Sequence, residues 1–179
     1  RTPVPSEGAS FTGSPSLSLD GALLYVGCGW DADCEAVTAL NTRSGHKVWR
    51  FAPSGTYAAN MHTFWAKPTV ADNGTVLVCD FGGYLFALDG ETGDERWRFV
   101  EAHDPTGDYA NEAWSSVALT NDGHLIFTSN LGWIRKFRVS DGAQVRQGGW
   151  PIDPKLRAND SVGRPQQRDP IIFSAPIVD

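Results

Sequence analysis

The sequence has no long hydrophobic run and no excess of basic residues. None of its strictly apolar stretches is longer than five residues, the length of Ala22–Val26, whereas a helix that spans a bilayer needs roughly 20. Its 15 Lys and Arg are outnumbered by 21 Asp and Glu, which gives a net charge of −6. Such a chain lacks the positive field that a phosphate-backbone binder needs. We therefore expect no membrane span and no nucleic-acid partner.

Cysteine is also scarce, and none of the 3 cysteines is next to another. Cys28 and Cys34 flank a short turn, so opposed strands would bring their sulfurs within bonding range. The sequence leaves two states open, a local disulfide between these two or free thiols throughout. In the first state Cys79, which lies inside a predicted strand, is a buried free thiol.

Glycine, proline and tryptophan are abundant by contrast. The chain has 19 Gly and 11 Pro, a density of turn residues that favours many short strands over long helices. Hydrophobic residues make up 41% of the sequence, which is typical of a globular protein. The sequence therefore predicts an all-β fold.

The tryptophans recur with one period. Trp49 and Trp97 are 48 residues apart, and Trp65 and Trp114 are 49 apart. Two copies of the pattern Ala-x-Asp/Asn-x-x-Thr/Ser-Gly-x-x-x-Trp surround the first pair. Their motif residues are Ala39, Gly45 and Trp49 in the first copy, and Ala87, Asp89, Gly93 and Trp97 in the second. A third copy keeps Gly142 but has Arg146 in the place of the tryptophan, so it is a degenerate repeat.

Each repeat also has a front half with an Asp/Asn-Gly turn followed by a β-rich run. Turn signals every 8–12 residues between short alternating runs predict four antiparallel strands in each unit. The chain 1–179 is thus one segment with units at about 14–66, 67–114 and 115–173, and residues 174–179 begin another.

A four-stranded unit of 40–50 residues has the size of a propeller blade. The tryptophan motif resembles that of the quinoprotein-type, or PQQ-like, β-propeller repeats, a family that includes PQQ-dependent dehydrogenases and non-catalytic scaffold and sensor proteins. The resemblance implies that Trp49 and Trp97 pack between neighbouring blades and that the motif glycine makes the tight turn. It predicts three four-stranded blades plus the first strand of a fourth, an open part of a seven- or eight-bladed ring.

Three blades cannot close such a ring. Propellers close with roughly four to eight blades, and open strand edges invite aggregation. We expect the chain to be part of a longer protein whose remaining blades complete the ring. The alternative is a short protomer that closes by pairing with copies of itself.

The connections of a propeller divide between two faces, and the long ones here are all on one of them. Minimal Asp/Asn-Gly and Thr-Gly turns occupy the other face. Long surface loops with aromatic, His and amide groups on a rigid scaffold are typical binding sites. The candidate binding residues are Trp30, Asp31, Asp33, Tyr57, Asn60, His62, Trp65, His103, Asp108, Asn111, Trp114 and Trp133. An alternative interpretation makes Trp65 and Trp114 a second packing series at the top of each blade.

Catalytic and metal-binding patterns are weak. Asp31, Asp33 and Glu35 alternate, which suits a hard cation, but the spacing lacks the glycine and distal glutamate of an EF-hand and favours a solvated acidic loop. His62 and His103 are single residues without zinc-ligand spacing. Neither a nucleophile elbow nor a phosphate loop is present in the sequence. We predict no metal site in this segment.

Two functions remain open. The first is a non-catalytic propeller that presents its loop-rich face to a protein or carbohydrate. The second is a segment of a PQQ- and Ca²⁺-dependent alcohol or sugar dehydrogenase, whose family members have adjacent cysteines near the cofactor; this chain has none, so we expect no cofactor in this segment and incline against an enzyme. The family resemblance implies a periplasmic or otherwise extracytoplasmic location.

Overall fold

The structure is a computed structural model, and it describes residues 13–28, 36–53, 63–100, 115–129 and 133–152. Within these ranges all regular structure is β-strand. The strands are β1 Ser16–Leu17, β2 Leu23–Cys28, β3 Ala36–Asn41, β4 Lys47–Phe51, β5 Thr69–Val70, β6 Thr75–Cys79, β7 Tyr84–Asp89, β8 Glu95–Val100, β9 Ala118–Leu119, β10 His124–Thr128 and β11 Ile134–Arg138.

The strands form three antiparallel sheets that follow the order of the chain. Strands β1 to β4 form blade 1, β5 to β8 form blade 2, and β9 to β11 form blade 3. Each neighbouring pair is hydrogen-bonded in antiparallel register. The predicted all-β architecture of consecutive meanders is confirmed.

The first strands of the blades lie side by side along the inner edge of the assembly. Ser16 Oγ donates a hydrogen bond to the Pro68 carbonyl at 2.5 Å, and Thr69 Oγ1 donates to the Val117 carbonyl at 3.2 Å. Ser116 Oγ donates to the Lys67 carbonyl at 2.7 Å. Small hydroxyl side chains therefore join the inner edges of blades 1 and 2 and of blades 2 and 3.

The middle blade is buried on both of its faces. Successive side chains of a strand point to opposite sides, and β6 uses both: Val76 and Val78 join the core shared with blade 1, whereas Leu77 and Cys79 join the core shared with blade 3. All five residues of β6 are buried. Burial of each such side chain contributes about 1.5–3 kcal/mol relative to exposure, so packing between blades is the main source of cohesion.

A tryptophan from each of the first two blades lies over a glycine of the next blade. The Trp49 indole N–H donates to the Gly90 carbonyl at 2.9 Å, and a Cβ added to Gly93 would lie 2.6 Å from Trp49 Cδ2. Trp97 repeats the arrangement against blade 3, where its indole N–H donates to the Val139 carbonyl at 2.8 Å. A Cβ on Gly142 would lie 2.7 Å from Trp97 Cδ2, so only glycine allows this approach.

The alanine of each motif lies directly beside the tryptophan. Ala39 is paired with Trp49 across β3 and β4, and Ala87 with Trp97 across β7 and β8. Both alanines are 0% exposed. Asp89 Oδ1 accepts hydrogen bonds from two backbone N–H groups of the turn that ends at Gly93.

Blade 3 departs from the predicted four strands. Its sheet has three strands, and the segment after β11 forms two isolated bridges with it, Phe137 with Gln144 and Ile134 with Ile152. The Val145 N–H also donates to the Lys136 carbonyl at 2.8 Å. The two bridges cannot belong to one continuous register, because the bridged residues are three positions apart in β11 and eight positions apart in the facing segment. The predicted strand at 174–179 lies outside the described residues.

Candidate functional site

The blades expose two unlike faces. One, here called the turn face, carries the short turns from β1 to β2, β3 to β4 and their equivalents. The other, here called the loop face, carries the connections from the second to the third strand of each blade and those between blades. In the described residues it comprises 63–68, 80–83, 115–117, 129 and 133.

Two of the candidate binding residues, Trp65 and Trp133, are in the described part of the loop face. The other ten lie outside the described residues: Trp30, Asp31, Asp33, Tyr57, Asn60, His62, His103, Asp108, Asn111 and Trp114. Trp65 and Trp133 are therefore the aromatic side chains around which the described part of the loop face is organised.

Trp65 is half-buried and held on the loop face by the next blade. Its ring meets Phe81 edge-on, with centroids 5.1 Å apart. The Phe81 N–H donates to the Thr63 carbonyl at 2.9 Å, so the connection between blades 1 and 2 is fastened to the β6–β7 turn at both main chain and side chain. Such an edge-to-face pair contributes about 0.5–1.5 kcal/mol beyond its burial.

The same connection is fastened to blade 1 on its other side. The Phe64 N–H donates to the Cys28 carbonyl at 3.3 Å, and the Phe64 ring is 1% exposed within the core. A Cβ on Gly27 would lie 2.5 Å from the Phe64 carbonyl oxygen. Glycine at position 27 thus lets the segment that carries Trp65 lie directly on β2.

A buried carboxylate that sequence reasoning missed lies beneath this surface. Asp80 follows β6 and is 0% exposed. Its Oδ1 accepts the Tyr84 N–H at 2.8 Å, and its own N–H donates to the Tyr84 carbonyl at 3.0 Å. A buried charge is tolerated only with such partners. The available signal was an aspartate that directly follows a wholly apolar strand end and precedes Gly82 and Gly83.

Asp80 also affects the neighbouring thiol. Cys79 is free and buried, and burial first, then the negative charge of Asp80, raises the pKa of its thiol well above the ordinary value. A thiol that stays protonated is a poor nucleophile and a poor metal ligand. Cys79 is therefore a packing residue of the core between blades 2 and 3.

Trp133 forms a cation–π contact with Arg135 on the loop face of blade 3. The Arg135 guanidinium carbon lies 4.8 Å from the Trp133 ring centroid and 5.4 Å from that of Phe99. In blade 2 the equivalent places hold Tyr84 and Phe86, whose rings stack at 5.5 Å. Blade 3 has thus replaced a buried phenylalanine by an arginine sandwiched between two aromatic rings, a favourable arrangement.

Cys28 is disulfide-bonded and 3% exposed at the end of β2. Cys34, its predicted partner, lies outside the described residues, so the pairing remains a prediction. Cys79 is free and buried, as the sequence predicts for the state in which Cys28 is oxidised.

The turn face has a shallow cleft of about 450 Å³ between blades 2 and 3. Asp122, at its rim, accepts Thr120 Oγ1 and lies 3.0 Å from Lys136 Nζ and 3.1 Å from His124 Nδ1. These contacts, with that of Thr120 the largest, lower the pKa of Asp122. The Asp122 carboxylate is thus held in its ionised form by hydrogen bonds and by the ion pair with Lys136, so we interpret the cluster as one that stabilises the turn.

Metal-ligand clusters are not found in the part of the chain that the structure describes, where no three His, Cys, Asp or Glu side chains converge. The acidic group Asp31, Asp33 and Glu35 lies outside it. Among the described residues, no helix is long and apolar enough to cross a bilayer.

Successive antiparallel blades joined by tryptophan and glycine contacts define a segment of a β-propeller with PQQ-like repeats. The family model described as outer membrane protein assembly factor BamB matches residues 4–175, and the chain belongs to this family. The predicted family resemblance is confirmed. No curated protein matches the chain.

Solved structures agree on the fold. BamB from Moraxella catarrhalis is 17% identical, with a TM-score of 0.59 over 79% of this chain and 36% of that one. Quinohemoprotein alcohol dehydrogenase from Comamonas testosteroni is 18% identical, with a TM-score of 0.56 over 80% of this chain and 28% of that one. The alcohol dehydrogenase ADHIIG from Pseudomonas putida HK5 is 18% identical, with a TM-score of 0.54 over 74% of this chain and 25% of that one. The chain thus spans about a third or less of each.

Proposed function

We propose that the chain is part of a non-catalytic propeller that binds a protein partner through its loop face. The observation that carries the proposal is the way Trp65 is held in place on the loop face. Its indole packs edge-on against Phe81 and is half-buried. The main chain beside it is bonded to blade 2 through Thr63 and to blade 1 through Phe64. Rigid aromatic side chains of this kind are the commonest anchors of protein interfaces, since they bury a large area with little loss of side-chain entropy.

The rest of the proposed interface surrounds this anchor. Trp133, held over Arg135, supplies a second aromatic at the same end of the blades. The proposed contacts from the neighbouring connections are Trp30, Asp31, Asp33, Tyr57, Asn60, His62, His103, Asp108, Asn111 and Trp114. Aromatic anchors within a rim of amide, His and carboxylate groups match the anatomy of a protein interface.

A protein is preferred to a carbohydrate because of the family. Its description is that of an assembly factor, a class of protein that works by contact with other proteins. A carbohydrate ligand on the same face would instead give a saccharide adduct in the crosslinking experiment. The proposal also places the chain outside the cytoplasm, where a disulfide such as that of Cys28 persists.

The second candidate is a segment of a quinoprotein alcohol dehydrogenase, since two of the similar structures are quinohemoprotein alcohol dehydrogenases. Two observations incline us to the scaffold. Asp80, the buried carboxylate, holds the Tyr84 N–H, and the sequence has no adjacent cysteines. This candidate predicts a change in PQQ absorbance when the protein is titrated with PQQ and Ca²⁺; the scaffold proposal predicts none.

A photo-crosslinking amino acid at position 65 tests the proposal in the cells that produce the protein. Val48, which is 49% exposed on an outer strand, is the matched control position. We expect one predominant protein adduct from position 65 and none of that mass from position 48. Equal adducts from both positions, or recovery of saccharide alone from position 65, would contradict the proposal.

A further inference from the structure

The fourth strands of blades 1 and 2 carry a small irregularity just before the tryptophan. In blade 1 the pairs are Ala39 with Trp49 and Leu40 with Lys47, so one step along β3 corresponds to two along β4. Blade 2 has the same shift, between Ala87 and Leu88. Each is a β-bulge with a single extra residue.

The corresponding bulge in blade 3 is much larger. Phe137 pairs with Gln144, and Ile134 pairs with Ile152, with an Ile152 N–H to Ile134 carbonyl bond of 3.0 Å. Three steps along β11 thus correspond to eight along the facing segment, which leaves five extra residues. Relative to blades 1 and 2 the insertion is four residues, and residues 146–149 are all exposed.

This register brings a different residue to the tryptophan position. Continued back from the pair of Ile134 with Ile152, the register puts residue 150 opposite Lys136, which occupies the place that Ala39 and Ala87 have in blades 1 and 2. The Lys136 carbonyl itself accepts the N–H of Val145, the residue just before the insertion, at 2.8 Å. Residue 150 is a tryptophan. The sequence repeats the same local pattern, Trp-x-apolar, at 49–51, 97–99 and 150–152.

In blades 1 and 2 the apolar residue that ends this pattern also contacts the following blade. Phe51 meets Phe86 with ring centroids 5.3 Å apart, and Phe99 meets Phe137 at 4.7 Å. Ile152 is half-buried at the equivalent place, as is Trp150. Within the described residues the Trp150 indole N–H has no acceptor, whereas those of Trp49 and Trp97 each have one in the following blade.

We propose that Trp150, rather than a residue at position 146, is the inter-blade tryptophan of blade 3 and that it docks on a fourth blade of the same ring. The partner surface is defined by the two interfaces already formed: a turn glycine at positive φ under the indole and a backbone carbonyl that accepts its N–H. The chain spans 36% of the BamB structure that it matches, which leaves room for further blades in a complete ring.

The exposed insertion is then an addition to the blade and not a loss of the motif. Without residues 146–149, Gly142 would be followed at the fourth position by Trp150, the spacing that separates Gly45 from Trp49 and Gly93 from Trp97. A bulge can lengthen outward without changing the strand that follows it. The tryptophan and the residues after it keep their places in the interface.

Thermal unfolding of the full-length protein tests the assignment with four variants. Trp150→Ala is expected to lower the melting temperature as much as the reference Trp97→Ala, by several degrees. Deletion of residues 146–149 and Arg146→Ala are each expected to change it by less than about 2 degrees. Loss of stability on deletion of the insertion, or a neutral Trp150→Ala, overturns the proposal.

Hydrogen exchange of the indole N–H in the unsubstituted protein covers the case in which Trp150→Ala does not fold. We expect the Trp150 indole to exchange as slowly as that of Trp97, which is hydrogen-bonded across the blades. Free exchange of Trp150 overturns the docking. Protection that rises with protein concentration shows a second copy on this surface and overturns the fourth blade as its occupant.

Discussion

The contact between Trp49 and Gly93 makes a prediction about a single methyl group. At Gly93 the backbone has a φ of 79°, and an alanine there costs about 1 kcal/mol for the left-handed conformation. Its Cβ would also lie 2.6 Å from Trp49 Cδ2 and 2.7 Å from Cε3. The indole cannot retreat freely, because it is 8% exposed and its N–H bonds the Gly90 carbonyl.

Overpacking a close-packed interface costs about 1–3 kcal/mol. Gly93→Ala is therefore expected to lower the free energy of unfolding by about 2–4 kcal/mol. Gly74→Ala is the matched control, since Gly74 has a φ of 76° with nothing within 4 Å of an added Cβ. We expect this control to lose about 1 kcal/mol.

Urea denaturation, followed by circular dichroism, measures both losses. A double-mutant cycle with Trp49→Ala isolates the contact between the indole and position 93. In the Trp49→Ala background, Gly93→Ala is expected to lower the free energy of unfolding by no more than Gly74→Ala does. Equal losses for the two glycines in the unsubstituted protein would refute the account of the interface, because both have the same backbone conformation and only Gly93 meets a tryptophan.

Three further predictions concern titratable groups. Asp80→Ala leaves the Tyr84 N–H without its side-chain acceptor, and a loss of about 1–3 kcal/mol is expected in urea denaturation. The Cys79 thiol, whose pKa burial raises, is expected to resist iodoacetamide at pH 8 until the protein unfolds, as mass spectrometry of the labelled peptide would show. The pKa of Asp89 is lowered in the fold, first by Arg96. Its contribution to stability is therefore present above the ordinary carboxyl pKa and lost as the pH falls through the lowered value. Asp89→Asn is therefore expected to make the melting temperature fall less steeply as the pH is lowered below the ordinary carboxyl pKa. The same pH dependence of the melting temperature in the variant and the unsubstituted protein would contradict this.

The blades could be predicted from sequence because their signals are local. The Asp/Asn-Gly and Thr-Gly turns lie between runs of β-forming residues, and antiparallel strands joined by short turns pair with their neighbours. The recurrence of tryptophan at Trp49 and Trp97 gave the period. Family membership followed from the same residues.

The bulge of blade 3 could not be predicted because a fixed period assumes a fixed register. Counting 49 residues from Trp97 reaches Arg146. The Trp-x-apolar pattern does recur at 150–152, but a pattern of three residues does not say which residues before it leave the sheet. Only the pairing of Ile134 with Ile152 reveals it. Turn glycines such as Gly148, with a φ of 63°, are common in connections of every kind.

The position of the loop face could be predicted from the sequence, but the residues beneath it that hold its aromatic side chains in place could not. Asp80 was overlooked because a single aspartate after a strand looks like a solvated turn residue, whereas its complete burial is visible only in the folded structure. The sandwich of Arg135 between Trp133 and Phe99 was overlooked for a similar reason. It joins two blades, and the 49-residue period aligns Arg135 with Phe86, a substitution that no local pattern explains.

The most direct test of the loop-face proposal is titration of the partner captured at position 65 against the purified protein by calorimetry. With folding checked by circular dichroism, Trp65→Ala is expected to weaken binding at least tenfold, since an anchor residue contributes about 2 kcal/mol or more. The exposed outer-strand control Val48→Ala is expected to bind as the unsubstituted protein does. Unchanged affinity of Trp65→Ala, or equal loss in the Val48→Ala control, would contradict the account.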